Sequence, residues 1–416
     1  MWKRWRIRIL LFLAVLGPGF ITANVDNDSG GILTYSQAGA QYGYTLLWTM
    51  IPITIALIVV QEMCARMGVV TGKGLSDLIR EEFGLRLTVI LMVLLVIVNF
   101  TNVITEFIGI AGSMHLFHVS KFISVPGCAL LVWFLVFRGD YKSTEKIFLA
   151  ASVVYIAYIF ASVLSQPSWH DALLATVKMP PKSVWRDKSY IYMAVGVVGT
   201  TIAPWMQFYL QSSIVEKGIR VKDYAASRLD VIVGSFFTDI IAWFIVVACA
   251  ATLFTHGMGA IQVAADAAEA MRPLAGDYAF ILFAFGLFNA SVFAASILPL
   301  STAYTVCEGL GVESGVDKSF KEAPFFYWLY TLLIAGGALS VLLLPDGQLI
   351  NVAILSQVLN GVLLPVVIIL MLMLINRSDL MGKYKNSRLW NVIAWATSII
   401  VIGMTMAMLW GMLPGH

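Results

Sequence analysis

The chain has 416 residues, 59% of them hydrophobic and only 12% charged, with a mean hydropathy of +0.85. That composition excludes a soluble globular domain and marks a polytopic membrane protein. The formal charge of +3 is small and sits in loops, so it offers no footing for nucleic-acid binding.

The N-terminal run MWKRWRIRILLFLAVLGPGF has a basic flank, an apolar stretch too long for a signal peptide and no small-residue cleavage site. It is read as a retained first span. Eleven spans are predicted, over 9–43, 45–70, 86–115, 119–137, 144–165, 189–214, 229–254, 275–308, 324–345, 348–375 and 389–412. With the first loop outside, 21 Lys and Arg residues, Lys3, Arg4, Arg6, Arg8, Arg66, Lys73, Lys217, Arg220, Lys383 and Arg388 among them, fall on the N-terminal side. Only Lys121, Lys178, Lys182, Arg186, Lys188 and Arg272 fall opposite. Basic loops resist translocation, which predicts a cytoplasmic N-terminus. The longest loops, 166–188 and 255–273, leave no room for a soluble catalytic domain. Cys64, Cys128, Cys249 and Cys307 lie in apolar runs without CxxC spacing, which implies neither a disulfide framework nor a zinc site.

Within the first span stands NVDNDSGG, residues 24–31. One reading makes it an external loop, with Asp28 an ordinary helix N-cap. Length favours another, because the fifteen residues of 9–23 rise only about 23 Å against a hydrocarbon core of about 30 Å. The second reading is a helix broken at mid-membrane, its freed backbone and Asp side chains facing a cavity. Five spans later VGVVGTTIAPWMQFYLQSSIVEKG is interrupted by Gly199, Thr200, Thr201 and Pro204, and the proline removes a backbone donor. Interruptions at matching positions of two five-span halves point to a midplane transport site. The expected architecture is an all-α integral membrane protein, a single transporter domain over 1–416 with inverted repeats over 9–165 and 189–375. An extra helix follows at 389–412.

The segments GPGFITANVDNDSGG, QEMCARMGVVTGKGLSDLIREEFG, TEFIGIAG, TTIAPWMQFYLQSSIV and SQVLNGVLLPV resemble those of the Nramp family of divalent metal transporters. The resemblance covers most of the chain in order and spacing. It implies a LeuT-like inverted-repeat fold in a prokaryotic plasma (inner) membrane. The family's first-span Asp-Pro-Gly-Asn, whose Asp and Asn bind metal, is matched here by Asp28, Ser29, Gly30 and Gly31. Its sixth-span Met-Pro-His is matched by Ala203, Pro204 and Trp205, so the soft Met sulfur is absent. Glu106 matches the third-span Glu associated with proton movement, while Val103 stands at the Asp position. The ninth span, arginine-rich in the family, contains no arginine here. These departures resemble a divergent, magnesium-transporting branch of the family.

The candidate metal ligands are Asp28, Asp26, Asn27, the backbone carbonyls of Ile202 and Ala203, and Gln357 and Asn360 of the tenth span. Asp26 is a second ligand or a vestibule attractor, and Ile202 and Ala203 are ligands or packing. Gln357 and Asn360, three apart on one helical face, line the cavity or bond between helices. Glu106 is a buried anchor or a proton carrier. Glu62 and Arg66 read as a structural i, i+4 pair. Replacing Met and Asn by Ala203 and Gly31 is expected to leave room for water, which suits a partly hydrated Mg2+. The expected function is secondary transport of Mg2+, and Mn2+, without proton coupling. The alternative is a proton-coupled Mn2+/Fe2+ transporter of ordinary family type. A channel and an amino-acid carrier of the same fold are further readings. No HExxH, GxSxG or Cys/His pair supports an intramembrane enzyme. No cofactor is expected, the metal being substrate, and the partners are the ion and the lipid bilayer. The oligomeric state stays open, a monomer being compatible.

Overall fold

A computed structural model describes residues 17–137, 141–257, 261, 268 and 272–411. The basic residues Lys3, Arg4, Arg6 and Arg8, the start of the first predicted span and most of the loop 255–273 lie outside them. Secondary structure among the described residues is helical. The first half comprises α1 (Pro18–Val25), α2 (Ser29–Tyr42), α3 (Met50–Thr71), α4 (Leu75–Phe83), α5 (Leu85–His115), α6 (Lys121–Phe137), α7 (Tyr141–Val153), α8 (Ile156–Leu164) and α9 (Trp169–Val177). The second half comprises α10 (Lys188–Thr201), α11 (Pro204–Glu216), α12 (Tyr224–Cys249), α13 (Arg272–Leu310), α14 (Pro324–Leu343) and α15 (Asp346–Ile375). The short α16 (Ser378–Met381) and the long α17 (Arg388–Gly411) follow.

Nine helical stretches among the described residues are long and apolar enough to cross a membrane. Ser29–Thr71 runs on as one stretch through a 3-10 segment at Gly43–Thr49, and Lys121–Phe137 is apolar but only 17 residues long. The loop over 166–188 is partly ordered as α9. Outward faces are greasy, as Ile90, Val93, Leu94 and Ile97 on α5 illustrate, because lipid rather than water is their solvent.

Interior helices approach closely where side chains are small. A Cβ on Gly234 of α12 would stand 2.7 Å from Phe20 Cα, and one on Gly19 would stand 2.8 Å from Val231 N. The α1 and α12 backbones therefore touch, as small residues allow in membrane bundles. Their contact is locked by Asp230. Its Oδ1 accepts the Gly17 and Phe20 N–H groups at 2.8 and 3.1 Å, and its Oδ2 accepts that of Gly19 at 2.7 Å. A helix N-terminus carries unsatisfied donors and partial positive charge, so this buried carboxylate fixes where α1 begins.

On the predicted cytoplasmic side, Glu62 and Arg66 form the expected pair at 3.1 Å. Arg66 also donates to the carbonyls of Tyr384 and Lys385 at 3.0 and 3.2 Å. The pair thus ties α3 to the segment between α16 and α17.

Candidate functional site

The α1 to α2 helix is broken at Asp26, Asn27 and Asp28, and the break is buried. Asp28 adopts extended backbone, and its Oδ1 accepts the Gly31 N–H at 2.6 Å. Asp28 is thus the N-cap of α2, as the first reading had it, within a buried break between two helices, as the second had it. Glu106 of α5 accepts the Ser29 N–H through Oε2 at 3.1 Å, and its carboxyl is the immediate neighbour of that of Asp28. Ser29 Oγ donates to Thr105 O at 2.6 Å. Two carboxyl groups therefore share one helix N-terminus, which is a ready-made place for negative charge.

The second break faces the first. α10 stops at Thr201, Ile202 and Ala203 are non-helical, and Pro204 opens α11. Proline is at ease there because the first helical position needs no N–H. The Ala203 carbonyl accepts the Met206 N–H at 3.1 Å, whereas among the described residues no backbone N–H donates to that of Ile202. Tyr35 of α2 and Thr201 of α10 are joined through their hydroxyls at 2.8 Å. Since Thr201 Oγ1 donates to Val197 O at 2.8 Å, Tyr35 is the donor of that pair.

The room expected beside Gly31 is not open. A Cβ on Gly31 would stand 2.4 Å from Asp26 O, 3.1 Å from Thr200 Oγ1 and 3.4 Å from Asp28 Oδ1. The conformation of the break thus requires glycine, and oxygen atoms fill the volume that a larger side chain leaves. The Thr200 hydroxyl, 2% exposed for the residue as a whole, has no hydrogen-bond partner.

α15 closes another side. Gln357 lies against Gly30, where a Cβ would stand 2.0 Å from its Nε2. Asn360 Nδ2 donates to Gln357 Oε1 at 2.9 Å and to Asn102 Oδ1 at 3.1 Å, while Asn102 Nδ2 returns a bond to Asn360 Oδ1 at 3.0 Å. Gln357 thus borders the break, and Asn360 is engaged in bonding between α5 and α15. From α12, Thr238 receives Asn27 Nδ2 on its Oγ1 at 2.7 Å and on its carbonyl at 3.0 Å. The next residue, Asp239, is buried with both carboxylate oxygens unpartnered.

The structure therefore gathers Asp26, Asn27, Asp28, Ile202, Ala203, Glu106 and Gln357 about the facing breaks, with Asn360 one bond further out. Sequence reasoning missed Asp230 and Asp239, and it named Thr200 only as part of the second break, not for its hydroxyl. An acid well inside an apolar span was the available signal for Asp239. Among the described residues no three His, Cys, Asp or Glu side chains converge on a metal-holding cage. The arrangement offers scattered oxygens of carboxylate, amide, hydroxyl and carbonyl type, without nitrogen or sulfur donors among the candidate ligands.

A family described as "Natural resistance-associated macrophage protein-like" matches residues 19–411. The chain is 26% identical to a protein of Nostoc sp. over 96% of this chain and 92% of that relative. It is 27% identical to one of Deinococcus radiodurans over 98% and 91%. Both carry the name divalent metal cation transporter MntH. Among solved structures, the Eremococcus coleocola manganese transporter superposes with a TM-score of 0.76 at 22% identity, over 95% of this chain and 86% of that one. The structure of MhsT in complex with L-phenylalanine superposes with a TM-score of 0.60 at 12% identity, over 95% and 98%. These likenesses establish the fold as the LeuT-like inverted repeat.

Proposed function

The chain belongs to the Nramp family, and on that premise we propose that it is a secondary transporter moving divalent cations, Mg2+ together with Mn2+, by alternating access and without proton coupling. The names of the relatives support divalent-cation transport. The observation that carries the choice of metal is Ala203, which caps α11 where the family has a thioether. Thioethers favour soft and borderline metals, whereas carboxylate, carbonyl and water suit Mg2+ and Mn2+. Mg2+ is commonly held through one or two carboxylates while keeping several waters. Asp28 supplies the charge, and the Ile202 carbonyl and Thr200 hydroxyl supply neutral oxygens. Paired breaks, buried in this structure, suit a carrier that opens to one side at a time.

One observation favours the ordinary proton-coupled Mn2+/Fe2+ reading: the Glu106 carboxyl lies beside that of Asp28. An arriving cation would displace a proton held there.

The test is purified protein in liposomes, with Mg2+ and Mn2+ influx followed by dyes and the membrane potential clamped. Wild type is expected to admit both ions, and correctly folded Asp28→Ala neither. Failure of Mg2+ to enter or to compete with Mn2+ returns the protein to the transition-metal reading. Transport by Asp28→Ala at wild-type rates removes Asp28 from the site.

A further inference from the structure

On the α12 side of the first break, three buried side chains have oxygens with no hydrogen-bond partner among the described residues. Asp26, 1% exposed, has both carboxylate oxygens unpartnered, and so does Asp239, 4% exposed. The fully buried Asn27 has its Oδ1 unpartnered as well. Asn27 cannot exchange that oxygen for its nitrogen without losing the bond to the Thr238 carbonyl at 3.0 Å. Asn27 follows Asp26 and Thr238 precedes Asp239, so the bonds from Asn27 to Thr238 clamp the stretches together and bring both carboxylates onto one interface.

Neither acid has a compensating charge. The charges acting on Asp26 are those of Asp239 and Asp28, both of its own sign. The hydroxyl of Thr54, beside Asp239, is given to Met50 O at 2.7 Å. Asp28 and Glu106 touch through their carboxyls, whereas Asp26 and Asp239 lie near enough to act on one another by charge, with no hydrogen bond between them among the described residues. A protonated Asp26 would bury a hydroxyl with no acceptor among the described residues, a protonated Asp239 would have only the Thr54 hydroxyl oxygen to donate to, and an ionised carboxylate at either position would bury an uncompensated charge. Each costs far more than the same group in water. A cation between them removes both penalties. Two carboxylates match a divalent charge, and oxygen donors alone suit a hard ion that retains water.

We propose that Asp26 and Asp239, with the side-chain oxygen of Asn27, form a second divalent-cation position beside Asp28, which the transported ion occupies on its way past the break. This rests on the divalent-cation reading above and adds Asp239 to the residues that handle the ion. The two positions divide the work: Asp28 and the facing carbonyls hold the ion between the breaks, and the Asp26 and Asp239 pair receives it against α12.

The test is Mn2+ binding to purified protein in nanodiscs, read by loss of the free-ion electron paramagnetic resonance signal. Gel filtration and thermal melting establish folding. Asp28→Ala, or Asp28→Asn, which keeps a competent cap, isolates the second position. Either variant is expected to retain Mn2+ binding while losing transport. Adding Asp239→Asn should weaken the remaining binding at least about tenfold, the scale on which loss of even an outer partner weakens metal sites. Adding Asp26→Asn should do the same. Folded Asp28 variants that bind no Mn2+, or whose binding ignores both Asp26→Asn and Asp239→Asn, would overturn the second position and leave the Asp28 reading intact. Wild-type protein that neither binds nor moves Mn2+ or Mg2+ would overturn both.

Discussion

Replacing Asp230 by Asn tests whether the placement of α1 governs the site. The carboxylate accepts three N–H groups, from Gly17, Gly19 and Phe20, at 2.7 to 3.1 Å. Asn presents one acceptor oxygen and no charge, so up to two bonds are lost and a buried N–H faces an NH2 group. Hydrogen bonds to charged groups contribute about 1.5–3 kcal/mol each, and an orphaned buried donor costs about 1–3 kcal/mol. Two such bonds lost at the low end of the range, with no separate charge for the orphaned donor, make local opening of α1 easier by about 3 kcal/mol, or roughly 100-fold in its equilibrium constant. Amide hydrogen exchange over residues 17–25 reads this directly, because protection reports local opening. The expected result is roughly 100-fold faster exchange confined to α1, with reduced flux because α1 ends at Asp26, Asn27 and Asp28. Unchanged protection of α1 in Asp230→Asn would refute the reasoning.

Gly199→Ala places a Cβ 2.1 Å from Gln357 O and 2.5 Å from Gly361 N, so α10 and α15 must separate at a cost of roughly 1–3 kcal/mol. A lower Tm with lost flux is expected, and an unchanged Tm would contradict the close crossing. Ala203→Met adds a soft donor at the head of α11 and is expected to raise the Mn2+ over Mg2+ flux ratio in liposomes; a constant ratio argues against the oxygen-only account. Glu106→Gln keeps an acceptor for the Ser29 N–H and removes the charge beside Asp28. With a metal gradient alone, an interior pH dye should stay flat in wild type and variant. Saturable acidification in wild type that vanishes in the variant would establish proton coupling.

What the sequence revealed and what it hid divide along a physical line. The two breaks were legible because their causes are local. Asp and Gly in an apolar run, or Pro after two threonines, disturb a helix wherever it packs. The matching positions of the breaks then carried the inverted repeat. The boundary between the predicted spans 9–43 and 45–70 was less legible, since a 3-10 segment at Gly43–Thr49 rather than a polar loop joins α2 to α3. Gln357 and Asn360 could be assigned to one helical face, but their partner Asn102 lies on α5 and nothing local announces it. Asp230 sits one residue inside the predicted seventh span and reads as an interfacial charge. Only the folded chain reveals that it caps a helix more than two hundred residues away. Asp239 was visible as an acid in an apolar span. Its significance depends on Asn27 docking against Thr238, which no periodicity encodes.

The distribution of hydrogen bonds among these acids also bears on how an ion could be released. Cargo must leave as well as arrive, so a carboxylate with an alternative partner suits it better than one with none. Asp28 holds the Gly31 N–H and Glu106 the Ser29 N–H, both at the positive end of α2. When an ion departs, those donors and the helix dipole still stabilise the charge left behind. Asp26 has no such fallback and Asp239 only the Thr54 hydroxyl, so an ion departing from between them leaves two poorly compensated carboxylates. An ion shared between the positions is therefore held more tightly on the α12 side while the breaks are buried. Release then requires a change that gives Asp26 or Asp239 water or a donor. Movement of α1 away from α12 does that, because the same contact that buries Asp26 and Asp239 is the one Asp230 locks. On this account the latch, the second position and the route of release belong to a single interface, and loosening it should speed ion loss before it abolishes binding at Asp28.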